Sequence, residues 1–259
     1  SFTPYQFSCN QGDLRTLTFK QTQDHNQLMV ILEISKTPAQ EHIQGSLVEF
    51  ASKIQEYYKK PISVYLQVTD VHKGRRTTKN LTHIQGPRFI TETLTIKSKD
   101  YTFDIYPNSF FQPNPSQATQ IFSLVQDITA EYNAEIIYDL FCGTGTLGIV
   151  SANPSTRIYG MDIVESSIKL ATHNAQQNNV QEAVYIADDI FKNLQNYIWP
   201  DPDLILIDPP RKGLEPKTID LISQTTAKVL VYVSCNLKTF ANDAKLLEEY
   251  GYKLKQLTP

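Results

Sequence analysis

Three stretches of the chain place reactive residue types at the ends of apolar, strand-like runs. "VYVSC" ends on Cys235, and "LILIDPPRKG" carries Asp208 directly after its apolar run, with Arg211 beyond two prolines. In "YDLFCGTGTLGIV" an apolar run leads into Gly143 and Gly145. Open α/β sheets bind ligands at the carboxyl ends of their strands. We therefore expect a thiol, a carboxylate and a glycine loop at one edge of a sheet.

Two interpretations of Cys235 compete. A free cysteine is most often a small apolar core residue, whereas a thiolate held at a strand end can act as a nucleophile. The position just past an apolar strand, with "DPPR" ending the preceding strand, favours the nucleophile. The position of Cys142, directly before the glycine loop, suggests that its side chain packs in the core. No role is assigned to Cys9.

The glycine loop predicts an adenosine-type cofactor. Its spacing, Gly143-x-Gly145-x-x-Gly148, permits a tight turn and lets a ligand lie against bare backbone at the start of a helix. Asp162 closes the next strand, where its carboxylate could accept both hydroxyls of a ribose. The same pattern fits a dinucleotide and S-adenosylmethionine, so the loop alone leaves both open. Close packing of helix on strand is the structural alternative.

The secondary-structure elements that must position these residues follow two different patterns along the chain. The first hundred residues read as strands with one helix between them, which predicts an α+β domain over 1–105. Residues 101–117, rich in aromatics, Asn and Pro, are predicted to form a connector. From about 118, short apolar strands alternate with helices, which predicts an α/β domain over 106–259 with a parallel sheet covered on both faces.

Composition narrows the class of protein. The chain is 41% hydrophobic and 20% charged, and neither its apolar runs nor its first residues read as a membrane span or a signal peptide. Three scattered cysteines and five histidines that do not stand at metal-ligand spacing suggest no disulfide framework, no metal site and no iron-sulfur cluster. We expect a cytoplasmic protein without membrane contact.

The charge is divided unevenly along the chain. Residues 1–100 hold 13 Lys and Arg against 9 Asp and Glu, a net of +4, although the whole chain carries -3. The stretch "HKGRRTTKN" contains Lys73, Arg75, Arg76 and Lys79 without an acid. It predicts either a hairpin tip that contacts nucleic-acid phosphates or a solvated tip.

Several motifs in order resemble the RNA uracil-5-methyltransferases, which make 5-methyluridine in ribosomal or transfer RNA with S-adenosylmethionine. The resemblance rests on "IYPNSFFQPNPSQA", "DLFCGTGTLGI", "LILIDPPRKGL" and "VYVSCNLKTFANDAKLL" and covers nearly the whole chain. It implies a Rossmann-like class I methyltransferase domain preceded by a smaller α+β domain. The bacterial ribosomal branch looks closer, so 23S ribosomal RNA is the expected partner rather than transfer RNA, and a monomer is expected.

The resemblance also implies a role for individual residues. Cys235 would be the nucleophile, and Asp208 would contact the cofactor or the target base. The cofactor would be held by Gln112, Phe141, Gly143, Gly145, Asp162 and Asp188, the last near the adenine.

Uracil methylation needs such a thiol because carbon 5 is a poor nucleophile. Addition of a thiolate to carbon 6 puts electron density on carbon 5, and a base must later remove the carbon 5 proton so that the thiolate can leave. Arg211 is a candidate for favouring the thiolate. The target base must be flipped out or single-stranded to be attacked on its face.

The chain departs from the family pattern at both ends. Many members begin with a small RNA-binding barrel, some carry a four-cysteine iron-sulfur cluster, and members continue to a Pro, His and Thr rich stretch ending in the Glu base. This sequence shows none of these and stops at "LKQLTP". We therefore expect a fragment of a longer protein, or another proton acceptor, and incomplete turnover.

Three other functions remain open at this point. An amino-group methyltransferase would favour an aromatic residue after the two prolines, where Arg211 stands. A non-catalytic RNA-binding remnant would fit the missing base and the basic stretch. A nicotinamide dehydrogenase fits the glycine loop alone.

Overall fold

The computed structural model of the chain describes residues 2–6, 8–9, 11–71 and 77–259. They form two compact units. One comprises the described residues up to Thr93 together with Asp104–Asn108, and the other comprises Leu94–Phe103 and Ser109–Pro259. The basic residues Lys73, Arg75 and Arg76 lie outside the described residues.

The first unit is built on a four-stranded sheet. Its strands, in the order β1-β2-β3-β4, are β1 (Leu14–Gln21), β2 (Leu28–Ser35), β3 (Ile62–Asp70) and β4 (Thr78–Gln85). Strands β2 and β3 pair in parallel and are connected through helix α1 (Gln40–Tyr58), whereas the outer pairs are antiparallel. Ile43, Leu47 and Ala51 of α1 belong to one core cluster with apolar residues of β2 and β3. The unit has the α+β character that the sequence predicts.

A hairpin contributes residues to both units. Its strands are β5 (Ile90–Ile96) and β6 (Lys99–Ile105), joined by Lys97 and Ser98 at φ 47° and 67°. Two successive residues with positive φ are typical of the tight hairpin turns that match strand twist. The predicted connector over 101–117 is therefore wrong for its first five residues, which form a strand, and for its last three, which begin the helix Pro115–Glu131. Tyr101, Phe103 and Ile105 alternate and are buried, so they form a strand.

The second unit is an open, wholly parallel sheet. Its order is β11-β10-β7-β8-β9, with β7 (Ile136–Leu140), β8 (Arg157–Asp162), β9 (Ala183–Ala187), β10 (Leu204–Ile207) and β11 (Val229–Tyr232). All four neighbouring pairs are parallel. The chain leaves the central β7 toward β9 and then returns to its other side, which creates a switch point at the middle of the sheet.

Helices cover this sheet on both faces. They are α2 (Pro115–Glu131), α3 (Thr146–Ser151), α4 (Glu165–Gln177), α5 (Ile190–Asn193), α6 (Pro216–Ser223) and α7 (Leu237–Glu249). One core cluster joins Phe122 and Val125 of α2 to Leu204 and Leu206 of β10. The other joins Ile219 of α6 to Ile205 and Ile207, which point to the opposite face of the same strand. This arrangement confirms the predicted α/β fold. Within the described residues, no helix has the length and apolarity to cross a membrane.

Candidate active site

Five of the predicted site residues lie at the carboxyl edge of the parallel sheet. Phe141 follows β7, Asp162 ends β8, Asp188 comes just after β9, Asp208 follows β10, and Cys235 lies just beyond β11. Strands that run in parallel present their carboxyl ends at the same edge. Residues far apart in sequence therefore share one side of the second unit.

The loop after β7 has an unusual backbone. Phe141, Gly143 and Gly145 have φ of 62°, 53° and 75°, all in the left-handed region. A non-glycine residue there costs about 1–3 kcal/mol, and such strain concentrates at ligand sites. A Cβ on Gly145 would lie 2.8 Å from the Tyr185 hydroxyl, whereas a Cβ on Gly143 would meet nothing within 4 Å. Gly145 is thus required for packing, and Gly143 leaves bare backbone open to a ligand.

Gly148 contacts a buried carboxylate that the sequence motifs did not point to. Its N–H donates to Asp139 Oδ2 at 3.0 Å, and a Cβ on Gly148 would lie 2.6 Å from that oxygen. Asp139 is buried within β7, and burial, opposed by this hydrogen bond, raises its pKa to about 7. The sequence signal that could have identified this buried carboxylate is the single acid within the apolar run "IIYDLF".

Asp162 ties the glycine loop to the end of β8. Its Oδ2 accepts from the Gly143 N–H at 3.0 Å, and its Oδ1 accepts from the Val164 N–H at 2.9 Å. Each carboxylate oxygen has two lone pairs, so both can accept a further donor such as a ribose hydroxyl. The carboxylate therefore fixes the loop and still offers acceptors at the sheet edge.

Asp188 organises the segment after β9. It accepts from the Tyr197 hydroxyl at 2.5 Å, from Asn193 Nδ2 at 2.7 Å and from the Asp189 N–H at 2.7 Å. These bonds, that of Tyr197 first, lower the pKa of Asp188, so the carboxylate is charged at neutral pH. Asp188 thus has a structural function in addition to the predicted place near an adenine.

Asp208 lies at the start of a tight, proline-rich loop. The residue is half-buried, and burial raises the pKa of its carboxyl group to about 6. The Gly213 N–H donates to the Pro210 carbonyl at 2.8 Å, and Gly213 has φ 77°, so a turn closes the loop. A half-buried carboxylate is thereby held on a stiff support at the sheet edge.

Cys235 lies one strand away from Asp208. Ile207 pairs with Tyr232, and the Val233 N–H donates to the Ile207 carbonyl at 2.8 Å, so Asp208 and Cys235 leave neighbouring strands. Cys235 is exposed, whereas Cys142 is buried. The exposed thiol argues against the core interpretation of Cys235, and the buried thiol agrees with packing for Cys142.

The Asn236 side chain joins the two loops by a hydrogen bond to the Arg211 carbonyl oxygen. The Asn236 side chain caps α7 by accepting from the Lys238 N–H at 3.1 Å, and its Nδ2 donates to the Arg211 carbonyl at 3.0 Å. Thr239 Oγ1 donates to the same carbonyl at 3.3 Å. The Arg211 side chain is exposed, and the contribution of Arg211 to this junction is its carbonyl oxygen.

Gln112 lies between β6 and α2, two residues before the helix cap. Asn114 caps α2 by accepting from the Gln117 N–H at 3.2 Å, with Pro115 in the first turn. Phe111 packs against Phe103 with ring centroids 5.9 Å apart. Gln112 itself is half-buried, on a segment anchored at both sides. Across the described ranges, no cluster of three or more His, Cys, Asp or Glu is arranged to hold a metal ion.

An open parallel sheet with helices on both faces and a glycine loop after its central strand defines the class. It is the Rossmann-like fold of S-adenosylmethionine-binding class I methyltransferases. The family model described as tRNA (Uracil-5-)-methyltransferase matches residues 49–257, and the chain belongs to this family. The predicted family and fold are confirmed.

Relatives and solved structures agree with this assignment. An "uncharacterized RNA methyltransferase" of Enterococcus faecalis is 33% identical over 100% of this chain and 55% of its own length. One of Chlamydia muridarum is 31% identical over 96% of this chain and 63% of its own length. The chain thus spans somewhat over half the length of these relatives.

Among solved structures, similarity extends to a transfer-RNA enzyme. The crystal structure of Pyrococcus abyssi tRNA (uracil-54, C5)-methyltransferase in complex with S-adenosyl-L-homocysteine matches with a TM-score of 0.70 and 28% identity. The match covers 94% of this chain and 56% of that chain. A second Pyrococcus abyssi structure, of Trm5b, has a TM-score of 0.55 at 20% identity and supports the fold alone.

Proposed function

We propose that the chain catalyses transfer of a methyl group from S-adenosylmethionine to carbon 5 of a uridine in RNA, through a covalent bond between Cys235 and carbon 6. The observation that carries this proposal is the exposed thiol at the end of β11, one strand from a half-buried Asp208. Both lie at the same sheet edge as the glycine loop. Family membership narrows the chemistry to uracil carbon 5.

The residues at the sheet edge fit the cofactor. Bare backbone at Gly143 and the strained turn at Phe141 leave a surface on which the cofactor can lie. Asp162 would accept from the ribose hydroxyls, Asp188 would lie near the adenine, and Gln112 would contribute from the segment before α2. S-adenosylmethionine, when bound, supplies the methyl group.

Replacing Asp162 by alanine should weaken binding of S-adenosylhomocysteine by roughly tenfold or more. The change removes the acceptors for the ribose and leaves the Gly143 and Val164 N–H groups without the carboxylate that orders the loop. Isothermal titration calorimetry measures the affinity. Glu165→Ala, three residues further and exposed, is the matched control. If Asp162→Ala binds S-adenosylhomocysteine as tightly as the control does, Asp162 does not bind the cofactor.

The chain's own residues act on the uracil ring. The Cys235 thiolate forms a bond to carbon 6, and the electrons of the 5,6 double bond move toward the carbon 4 oxygen as an enolate. Carbon 5 then becomes the nucleophile that takes up the methyl group, with S-adenosylhomocysteine as the leaving group. Loss of the carbon 5 proton to a base restores the double bond and expels the thiolate. Asp208, fixed beside this site, would accept a hydrogen bond from the target base.

The RNA substrate is proposed separately from the chemistry. The sequence motifs favour ribosomal RNA, whereas the family model and the Pyrococcus relative are both named for transfer RNA. Contacts of Lys73, Arg75 and Arg76 with phosphates remain predictions, as do the monomeric state and the cytoplasmic location. The identity of the RNA is therefore an outcome of covalent trapping.

The test is covalent trapping of RNA that contains 5-fluorouridine. Fluorine at carbon 5 cannot leave as a proton, so a methylated adduct between protein and RNA should accumulate in the presence of S-adenosylmethionine. Denaturing gels and mass spectrometry detect the adduct, and sequencing of the trapped RNA distinguishes ribosomal from transfer RNA. A chain that binds both cofactor and RNA but gives no adduct would overturn the proposal in favour of amino-group methylation or RNA binding without catalysis.

A further inference from the structure

One helix, α7, contacts the loop that carries Asp208 and begins just after Cys235. Strands β10 and β11 are only four residues long, and β11 is the partly exposed edge strand of the sheet. Helix α7 begins directly after the cysteine motif, and its first turn holds the Arg211 carbonyl through Asn236 and Thr239.

A second attachment lies further along the same helix, at Asp243. This residue is buried, and its Oδ2 accepts from the Leu214 N–H at 2.8 Å and from the Tyr232 hydroxyl at 2.7 Å. Leu214 ends the loop that begins at Asp208, and Tyr232 ends the strand that leads to Cys235. One carboxylate oxygen of Asp243 therefore bonds both the loop that carries Asp208 and the end of the strand that leads to Cys235.

Gly213 shows how closely this contact is built. It has φ 77°, and a Cβ there would lie 2.5 Å from Asp243 Oδ2. The loop backbone thus lies directly against the carboxylate, which leaves no room for a side chain. Burial and then the bond to Asp243 raise the pKa of Tyr232, so its hydroxyl keeps the proton that it donates.

We propose that Asp243 is a positioning residue that fixes the Asp208 loop against the Cys235 strand end, a role that rests on the proposed function of these two residues. Asp243 itself touches neither substrate nor cofactor in this scheme. Misplacement of reacting groups by about 1 Å can reduce a rate by roughly 10²-fold. Loss of the carboxylate should therefore slow attack by Cys235 while leaving the cofactor loop, on β7 and β8, unchanged.

The experiment compares four variants of the full chain: Asp243→Ala, Asp243→Asn, Tyr232→Phe and the matched control Asn242→Ala, exposed on the same helix. Two quantities are measured: the single-turnover rate of adduct formation with 5-fluorouridine RNA, and the affinity for S-adenosylhomocysteine. We expect Asp243→Ala to slow the adduct by roughly 10²-fold with the affinity changed less than about twofold. Asp243→Asn should restore the rate to within about threefold, because an amide oxygen can accept both donors.

Three results would overturn the positioning role. The first is a rate of adduct formation in Asp243→Ala equal to that in Asn242→Ala. The second is a rate in Asp243→Asn as low as that in Asp243→Ala. The third is a parallel loss of adduct formation and cofactor affinity, which marks a general structural defect. If Asp243→Ala does not fold, Tyr232→Phe decides, since it removes one of the two bonds and must slow the adduct at unchanged affinity.

Failure of the proposed function is separately visible. If the parent chain, without any substitution, gives no adduct, the proposed function is contradicted. Hydrogen exchange then tests the positioning role of Asp243 independently. The Leu214 amide must exchange at least roughly tenfold faster in Asp243→Ala than in Asp243→Asn, because only alanine frees that N–H from its acceptor. Equal exchange in the two variants would overturn the role of Asp243.

Discussion

Substitution of Cys235 by alanine is expected to abolish the covalent adduct with 5-fluorouridine RNA, a loss of roughly 10³-fold or more in its rate of formation. The reason is chemical, since the bond to carbon 6 requires a thiolate and alanine has no nucleophile. Cys235→Ser should behave alike, because a hydroxyl is a far weaker nucleophile than a thiolate at neutral pH. Denaturing gels and intact-mass spectrometry after incubation with S-adenosylmethionine measure the result.

The chain provides a matched control for this prediction. Cys9 is a second exposed thiol, so Cys9→Ser should leave the adduct unchanged, and peptide mapping should find the RNA on Cys235 alone. Cofactor affinity should be equal in all three variants, because Cys235 lies beyond β11 and the cofactor loop follows β7. An adduct that persists in Cys235→Ala would assign the nucleophile elsewhere.

The placement of Asp208 and Cys235 at the carboxyl edge of the sheet could be predicted from the sequence because it depends on local pattern. Apolar runs such as "LILI" predict buried parallel strands, and the polar residue directly after each run must emerge at the carboxyl edge. This pattern places Asp208 and Cys235 at one edge, although no local signal shows that β10 and β11 are neighbours. Their adjacency is a finding of the structure, in which β10 pairs with β11.

The supporting contacts could not be predicted, because they depend on residues distant in sequence. Asp243 lies in a predicted helix whose pattern gives no local sign that this acid is buried, yet it is buried and accepts hydrogen bonds from Leu214 and Tyr232. Residues 101–105 read as part of a connector because aromatics, Asn and Pro follow them, whereas pairing with β5 makes them a strand. Tertiary contacts outweigh local composition in both cases.

Replacing Asp139 by asparagine should reduce the dependence of stability on pH. The pKa of Asp139 in the folded chain is raised to about 7, above its ordinary value of 3.8, so the folded state binds the proton more tightly than the unfolded state. Its contribution to stability is fully present below the unfolded pKa and is lost as pH rises toward 7. Asparagine is uncharged throughout and keeps an oxygen that can accept from the Gly148 N–H.

Urea unfolding at pH 5 and pH 8 measures the difference. The free energy of unfolding of the parent chain should fall by about 3 kcal/mol more between these pH values than that of Asp139→Asn, since roughly two pH units separate pH 5 from the folded pKa and each corresponds to about 1.4 kcal/mol. Burial also raises the pKa of Asp208, which is present in both chains, and the charge of Asp208 adds to the rise in the pKa of Asp139. Glu249→Gln, which neutralises an exposed carboxylate of α7, should follow the parent. Identical pH dependence of the parent and Asp139→Asn would show that Asp139 stays ionised beneath the glycine loop, stabilised by the Gly148 N–H against the cost of burial.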